Sequence, residues 1–169
     1  MSKIKIQKNF LSKEDLKTAL NLFKGSYFPW YARDYQAHQE KPLKGEHLFC
    51  HICMDDEKIR SEHFQDLIIP FALKISMNKL FRARLNLLVN QNEVKKSAWH
   101  TDVEKTKNKM TSVFYYNTNN GGTEFKKEGF IKSEANTLIT FPASLQHRSV
   151  QQTDTTFRYV LNLNYDLRK

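Results

Sequence analysis

"FRYVLNLNYDL", residues 157–167, is the stretch from which the rest of the chain is read. Strict alternation places Tyr159, Leu161, Leu163 and Tyr165 on one side of an extended strand, and Arg158, Val160, Asn162 and Asn164 on the other. The apolar side needs a packed layer against it. An arginine and two asparagines turned into a sheet interior need a polar ligand or water, because a buried polar group without a partner costs stability. Turned outward, the same face is simply solvated. Both orientations fit these eleven residues taken alone.

Upstream of this strand, short extended segments follow one another at residues 81–90, 98–101, 110–117, 122–126, 129–133, 136–142 and 146–151, making eight candidate strands with the last. Turn signals such as "NTNNGG" and "KKEG" separate them, a pattern that predicts an antiparallel sandwich or barrel. Before residue 80 the period is helical. Ser12 is placed to cap a helix with Asp15 at the capping-box position, Leu16, Ala19, Leu20 and Phe23 share one face, and Gly25 is the stop signal. A second helix is expected from Ser61, with Phe64, Leu67, Ile68, Phe71, Ala72 and Ile75 on one stripe and a kink at Pro70. Each stripe needs a partner surface, which places the helices on one outer face of the sheet. Between them, "HLFCHICM" reads as a short strand and "QEKPLKGE" as a loop; the aromatics of "SYFPWYARDYQ" read as packing residues first, with a stacking platform for bases as the alternative.

At 169 residues the chain is long enough for one ordinary core, and it shows no repeat or linker. One domain, 1–169, is expected, with 1–80 as helical support and 81–169 as the β core. No apolar run approaches a membrane span or a signal peptide, so a soluble cytoplasmic protein without a membrane partner is expected. Lys and Arg outnumber Asp and Glu 27 to 18, a formal charge of +9 that favours acidic partners. The lysines are scattered and form no nucleic-acid arm. Cys50 and Cys53 are too few for a disulfide framework or a zinc site and read as buried thiols.

In "AWHTDVEKTK", residues 98–107, His100 and Asp102 lie two apart, so an extended backbone turns both the same way. His147, in "FPASLQHRSV", precedes the strand of Arg158, and a barrel can bring it to the same spot. Two histidines and one carboxylate on one face of a metal leave positions open for a co-substrate and oxygen, the ligand set of non-haem Fe(II) oxygenases.

Together "WHTD", "VFYYNTNNGGTEF", "ANTLITFPASLQHRS" and "FRYVLNLNY" resemble the Fe(II)- and 2-oxoglutarate-dependent dioxygenases of the prolyl 4-hydroxylase-like group, particularly small stand-alone members of bacteria and their phages. The resemblance runs from about residue 80 to the end and more faintly through "FPWY" and "HLFCHI". It implies an all-β core with flanking helices. That core is a double-stranded β-helix, jelly-roll or cupin-like, with the N-terminal helices packed on one sheet. The implied chemistry is hydroxylation of a C–H bond coupled to oxidative decarboxylation of 2-oxoglutarate, using Fe(II) and O2, with ascorbate as a stimulant. If the chain is phage-encoded, its place is the host cytoplasm.

Carried onto this chain, the resemblance makes His100, Asp102 and His147 the iron ligands and Arg158 the group that holds the distal carboxylate of 2-oxoglutarate. Its planar fork suits a carboxylate. Tyr115 matches a tyrosine that donates to that carboxylate, with Thr111 and Val113 lining the same pocket and Tyr116 facing outward. Asn162 matches a polar position near the co-substrate, and Asn86 is placed at its iron-proximal end, where relatives often carry a tyrosine on that strand. Arg82 and Arg84 share that face, for a substrate or for solvent. Trp99, Leu145 and Phe157 are candidate walls or ordinary core. Loops 91–97 and 103–109 are the candidate lid, whose lysines favour an acidic substrate.

The expected substrate is a peptide, a prolyl residue among the candidates, or a small molecule. Two other classes stand beside it: oxidation of a nucleic-acid base by the same chemistry, for which binding would weaken steeply with salt, and a cupin-like binding module without chemistry. Oligomeric state is not legible.

Overall fold

The computed structural model describes residues 4–34, 47–102 and 108–168. Within them the strands are β1 (Lys5–Lys8), β2 (Tyr31–Arg33), β3 (Leu48–Asp55), β4 (Lys58–Ile59), β5 (Met77–Val89), β6 (Lys109–Tyr115), β7 (Gly122–Phe125), β8 (Gly129–Lys132), β9 (Thr137–Pro142), β10 (His147–Val150) and β11 (Phe157–Leu167). Two helices, α1 (Lys13–Phe23) and α2 (Phe64–Ala72), complete the described chain. The large sheet runs β1-β9-β6-β11-β5-β3-β2 with β4 on β3, and a small sheet runs β10-β7-β8. Every pairing is antiparallel. This is the all-β architecture of a double-stranded β-helix with two flanking helices.

β11 lies at the centre of the large sheet, between β5 and β6. Its apolar side faces the helices. Tyr159, Leu161, Leu163 and Tyr165 are buried in one cluster with Phe23 of α1, Leu67, Ile68 and Phe71 of α2, and Phe114 of β6. A second cluster, including Leu88, Val113, Phe125, Ile139, Phe141 and Val160, fills the space between the sheets. Burial of this kind contributes about 1.5–3 kcal/mol per large side chain, which is what holds the helices on the sheet.

The caps follow from local chemistry. Ser12 Oγ accepts the Asp15 amide at 3.0 Å and donates to the Asp15 carboxylate at 2.7 Å. α2 starts at Phe64, three residues later than expected, because the Ser61 hydroxyl is engaged by the His63 amide at 3.0 Å and by His51 Nε2 at 2.7 Å. Pro70 sits inside α2, two residues before its end, where a missing amide removes little of the ladder.

Three further differences from the sequence expectations have physical causes. The 1–80 region supplies four strands as well as both helices; β1, β2 and β4 are edge pieces of two to four residues, too short to show a period. Residues 98–101 form no regular strand: isolated bridges Lys96–Val150 and His100–His147 are what attach the segment to β10. Tyr116 faces away from the sheet interior as expected, yet it is buried in the helix layer, 4.8 Å from the Phe23 ring and 4.7 Å from Phe114. The loop 39–46 and most of the proposed lid 103–109 lie outside the described residues.

Candidate metal centre and its cavity

Two elements and one irregular segment converge on the open side of β11. His147 begins β10 in the small sheet, while His100 and Asp102 come from the segment between β5 and β6. Their ligating atoms lie within 4.8 Å of one another. His100 Nε2 is 3.9 Å from Asp102 Oδ1, and His147 Nε2 is 3.7 Å from Asp102 Oδ2. Each ring is oriented through its other nitrogen: His100 Nδ1 meets the Ala98 carbonyl at 3.1 Å, and His147 Nδ1 meets the Leu145 carbonyl at 2.9 Å. A protonated Nδ1 donating to a carbonyl leaves Nε2 with its lone pair aimed at the shared centre. Burial, and then the neighbouring His147, push His100 below its ordinary value, which favours the neutral imidazole that binds metal.

Asp102 is held by a row of three neighbouring strands. Asn164 of β11 pairs in register with Arg82 of β5 on one side and Thr111 of β6 on the other. Arg82 Nη2 reaches Asp102 Oδ1 at 3.2 Å and Arg82 Nε donates to Asn164 Oδ1 at 2.7 Å. Asp102 Oδ2 accepts Thr111 Oγ1 at 2.7 Å and Asn164 Nδ2 at 3.2 Å, and Asn164 Nδ2 also donates to Thr111 Oγ1 at 2.9 Å. Burial alone would push this carboxyl up, but His147, Arg82, His100 and the Thr111 hydrogen bond outweigh it and hold it at about 2. Asp102 is therefore ionised at neutral pH. The sequence leaves Arg82 open between substrate and solvent; the register of β5 against β11, which makes it a neighbour of Asn164, assigns it to Asp102.

Beyond this row the interior opens into a cavity with about 70 Å³ of free space, several times what one water requires. Arg84, Asn86, Asn162, Arg158, His100, His147, Ser149 and Thr123 contribute its polar lining. Arg158 is 2% exposed and has no carboxylate within ion-pair distance among the described residues. Its donors reach neutral oxygens instead: Nη1 the Val150 carbonyl at 2.7 Å and Ser149 Oγ at 3.4 Å, Nη2 the Gly122 carbonyl at 3.0 Å. Arg158 Nε has no partner. Burial pulls this guanidinium down to about 10, with the Tyr115 phenol beside it the next influence. A buried cation without a counter-charge is costly, and a bound anion removes that cost.

Gly122 makes part of this arrangement possible. A Cβ there would lie 2.1 Å from the Ile131 carbonyl oxygen, so only glycine lets β7 run this close to β8 while its own carbonyl receives Arg158.

Several predicted residues stand where expected and others do not. Asn86 and Asn162 line the cavity, and the Oδ1 atom of each has no partner. Val113 lines it too, whereas Thr111 serves Asp102. The Tyr115 ring lies 5.7 Å from the Arg158 guanidinium, but its hydroxyl donates to Thr123 Oγ1 at 2.7 Å, and Thr123 is the residue that faces the space. Trp99, Leu145 and Phe157 are not cavity walls: Trp99 stacks under Arg148 at 4.2 Å, Leu145 packs between the sheets, and Phe157 is 41% exposed. In loop 91–97, Lys95 pairs with Glu93 and Lys96 with Glu124, so these two lysines already have carboxylate partners. Cys50 and Cys53 are free and buried, and burial pushes the Cys53 thiol up to about 12. Phe28 and Trp30 of the aromatic stretch pack on Phe23, which removes them as a stacking platform for bases.

No protein-family profile matches the sequence, and no curated protein matches it. Solved structures do. A 2OG-Fe(II) oxygenase family oxidoreductase from Burkholderia pseudomallei superposes with a TM-score of 0.64 at 9% identity, covering 96% of this chain and 85% of the other. The non-heme alpha-ketoglutarate-dependent epimerase SnoN from nogalamycin biosynthesis gives 0.66 at 13% identity, with 96% and 78% covered. A prolyl-4-hydroxylase from Pseudomonas putida gives 0.56 at 11% identity, with 98% and 93% covered. At such identities the likeness is one of fold: this chain has the double-stranded β-helix fold found in 2OG-Fe(II) oxygenases, prolyl hydroxylases among them. No helix among the described residues is long and apolar enough to cross a membrane.

Proposed function

We propose that the chain, acting as a single domain, is a non-haem dioxygenase that couples oxidative decarboxylation of 2-oxoglutarate to hydroxylation of a second substrate. The observation that carries this reading is the pairing of a His-Asp-His cluster with a buried, counter-charge-free Arg158 in one cavity. The donor set fits Fe(II): two imidazole nitrogens and a carboxylate whose Oδ1 keeps a lone pair open, since Oδ2 already accepts two hydrogen bonds and Oδ1 one. When bound, Fe(II) with 2-oxoglutarate and O2 supplies the oxidising power, and the rest of the reaction depends on what the protein's own residues hold in place.

Arg158 receives the distal carboxylate of 2-oxoglutarate, with Ser149 and Thr123 beside it and Tyr115 fixing Thr123 from behind. Asn86 and Asn162 line the same cavity, and their side-chain amide N–H groups are the donors available to the polar end of the same molecule. Arg82, Asn164 and Thr111 keep Asp102 ionised and in one orientation, so the cluster needs no reorganisation when it takes up metal. Leu88, Val113 and Val160 keep the cavity floor apolar and limit water around the oxidised centre.

The test is succinate production from 2-oxoglutarate by iron-loaded protein exposed to oxygen. Wild type is expected to turn over slowly without added substrate and faster with ascorbate. His100→Ala is expected to be inactive, and Arg158→Ala active only at much higher 2-oxoglutarate. Wild type that neither binds 2-oxoglutarate nor forms succinate would leave a binding module as the better reading.

A further inference from the structure

The segment that carries His100 and Asp102 holds one residue more than the strand it lies on. The Lys95 carbonyl accepts the Gln151 amide at 2.8 Å and the Ser97 amide donates to the Ser149 carbonyl at 3.0 Å, so Lys96 stands opposite Val150. His100 and His147 then exchange both backbone hydrogen bonds at 3.0 Å and stand opposite each other. Between Ser97 and His100 lie Ala98 and Trp99, whereas between Ser149 and His147 lies Arg148 alone. Two residues against one make a β-bulge, which re-aims the side chains beyond it.

The effect is visible in which side chains face inward. Ser97 and His100, three residues apart, both line the cavity, although in a regular strand only residues an even number apart share a face. Directly opposed residues do share a face, and this brings the His100 and His147 rings together with centroids 4.4 Å apart. Continued without the bulge, the register of Ser97 on Ser149 would set Trp99 opposite His147 and turn His100 and Asp102 outward, since a slip of one residue moves every side chain to the other face. The same sequence has two registers on β10, and only the bulged one assembles three ligands.

The groups that favour the bulged register lie largely outside the cavity. Arg148, opposite the bulge, places its guanidinium 4.2 Å from the centroid of the Trp99 ring. Arg148 Nε donates to Glu124 Oε2 at 2.7 Å, and Lys96 Nζ lies 3.2 Å from the same oxygen. The guanidinium is fixed by β7 on one side and covers the indole on the other, which holds Trp99 out. Within the bulge, the Ala98 carbonyl meets His100 Nδ1 at 3.1 Å and so orients the ligand ring.

We propose that Trp99 and Arg148 are positioning residues for the metal centre: their stack holds the bulged register, and through it sets metal affinity from outside the cavity. This rests on the reading of His100, Asp102 and His147 as metal ligands and deepens it.

The test is Co(II) binding, followed by its visible absorption, in wild type, Trp99→Ala, Arg148→Ala, the double variant and Trp99→Phe. Each alanine variant is expected to bind Co(II) about tenfold more weakly, with the wild-type spectrum at saturation. The double variant is expected to be about as weak as either single one, because one stack is lost in all three. Removing a positive charge near a cation site would by itself tighten binding, so weaker binding by Arg148→Ala has no purely electrostatic cause. Trp99→Phe keeps a ring under the guanidinium and is expected within about threefold of wild type. Thermal melts check folding, and Arg148→Ala, which truncates a partly exposed side chain, keeps the test open if Trp99→Ala does not fold. A folded alanine variant that binds Co(II) as wild type does overturns the proposal. So do losses that add in the double variant, or a Trp99→Phe as weak as Trp99→Ala. Wild type that binds no Co(II) is a different result, and defeats the ligand reading on which the proposal rests.

Discussion

On the helix side of β11, Tyr159, Leu161, Leu163 and Tyr165 are buried in one apolar cluster. On the opposite side, Asn164 is fully engaged with Arg82, Thr111 and Asp102, while Arg158 and Asn162 carry buried atoms with no partner. The same backbone therefore serves two purposes. One face gains stability from shape and area removed from water; the other gives some up to hold polar groups ready for a ligand. The difference separates residues whose loss unfolds the protein from residues whose loss empties the site.

The largest effect expected is on the apolar face. Leu161→Ala leaves a hole between the helices and the sheet, and should cost about 2–5 kcal/mol in chemical denaturation, with ligand affinity unchanged in the folded fraction. Arg158→Met should do the reverse. Losing an uncompensated charge and freeing two carbonyls oppose each other, so the unfolding midpoint should move little, while 2-oxoglutarate affinity should fall about a hundredfold, roughly 3 kcal/mol. A large stability loss in Arg158→Met with intact 2-oxoglutarate binding would erase the distinction between the faces.

The two faces should also set opposite pH limits on the metal-free protein. Asp102 is held at about 2 in the fold, below an ordinary carboxyl, so its contribution is full above about pH 4 and is lost as pH falls toward 2. The Cys53 thiol, raised to about 12, behaves in the opposite sense: its contribution is full below about pH 9 and is lost as pH rises toward 12. Asp102 is worth about 2 kcal/mol and Cys53 about 4 kcal/mol on these shifts. Denaturation midpoints followed across pH should lose the acid slope in Asp102→Asn and the alkaline slope in Cys53→Ala. The smallest effect sharpens the polar face alone: Thr111→Val removes one hydrogen bond to Asp102 and should weaken Co(II) binding about tenfold with little change in melting temperature.

Much of this was legible in single segments. The alternation of residues 157–165 gives both faces of β11, and the spacing of His100, Asp102 and His147 makes them candidates for one metal, a grouping the fold brings together; the co-substrate role of Arg158 is what the family resemblance implies. What could not be read depends on register or on irregular backbone. Arg82 and Thr111 become partners of Asp102 only because β5, β11 and β6 align them on one row through Asn164. Tyr115 proved to stand behind Thr123, a relation between strands that parity cannot supply. His100 sits on a segment that alternates like a strand but is attached to β10 through isolated bridges, with Trp99 stacked on Arg148 outside. The edge strands β1, β2 and β4 are too short to carry a period, and their pairing is decided by the sheet they join.

The most direct test of the central claim is an anaerobic titration of Fe(II)-loaded protein with 2-oxoglutarate, followed by the visible absorption that appears only when the metal and the keto acid are bound together. A saturable band is expected in wild type, absent in His147→Ala, and reached in Arg158→Met only at far higher 2-oxoglutarate. A wild-type protein that binds Fe(II) yet develops no band at any 2-oxoglutarate concentration would contradict the assignment of the cavity to this co-substrate.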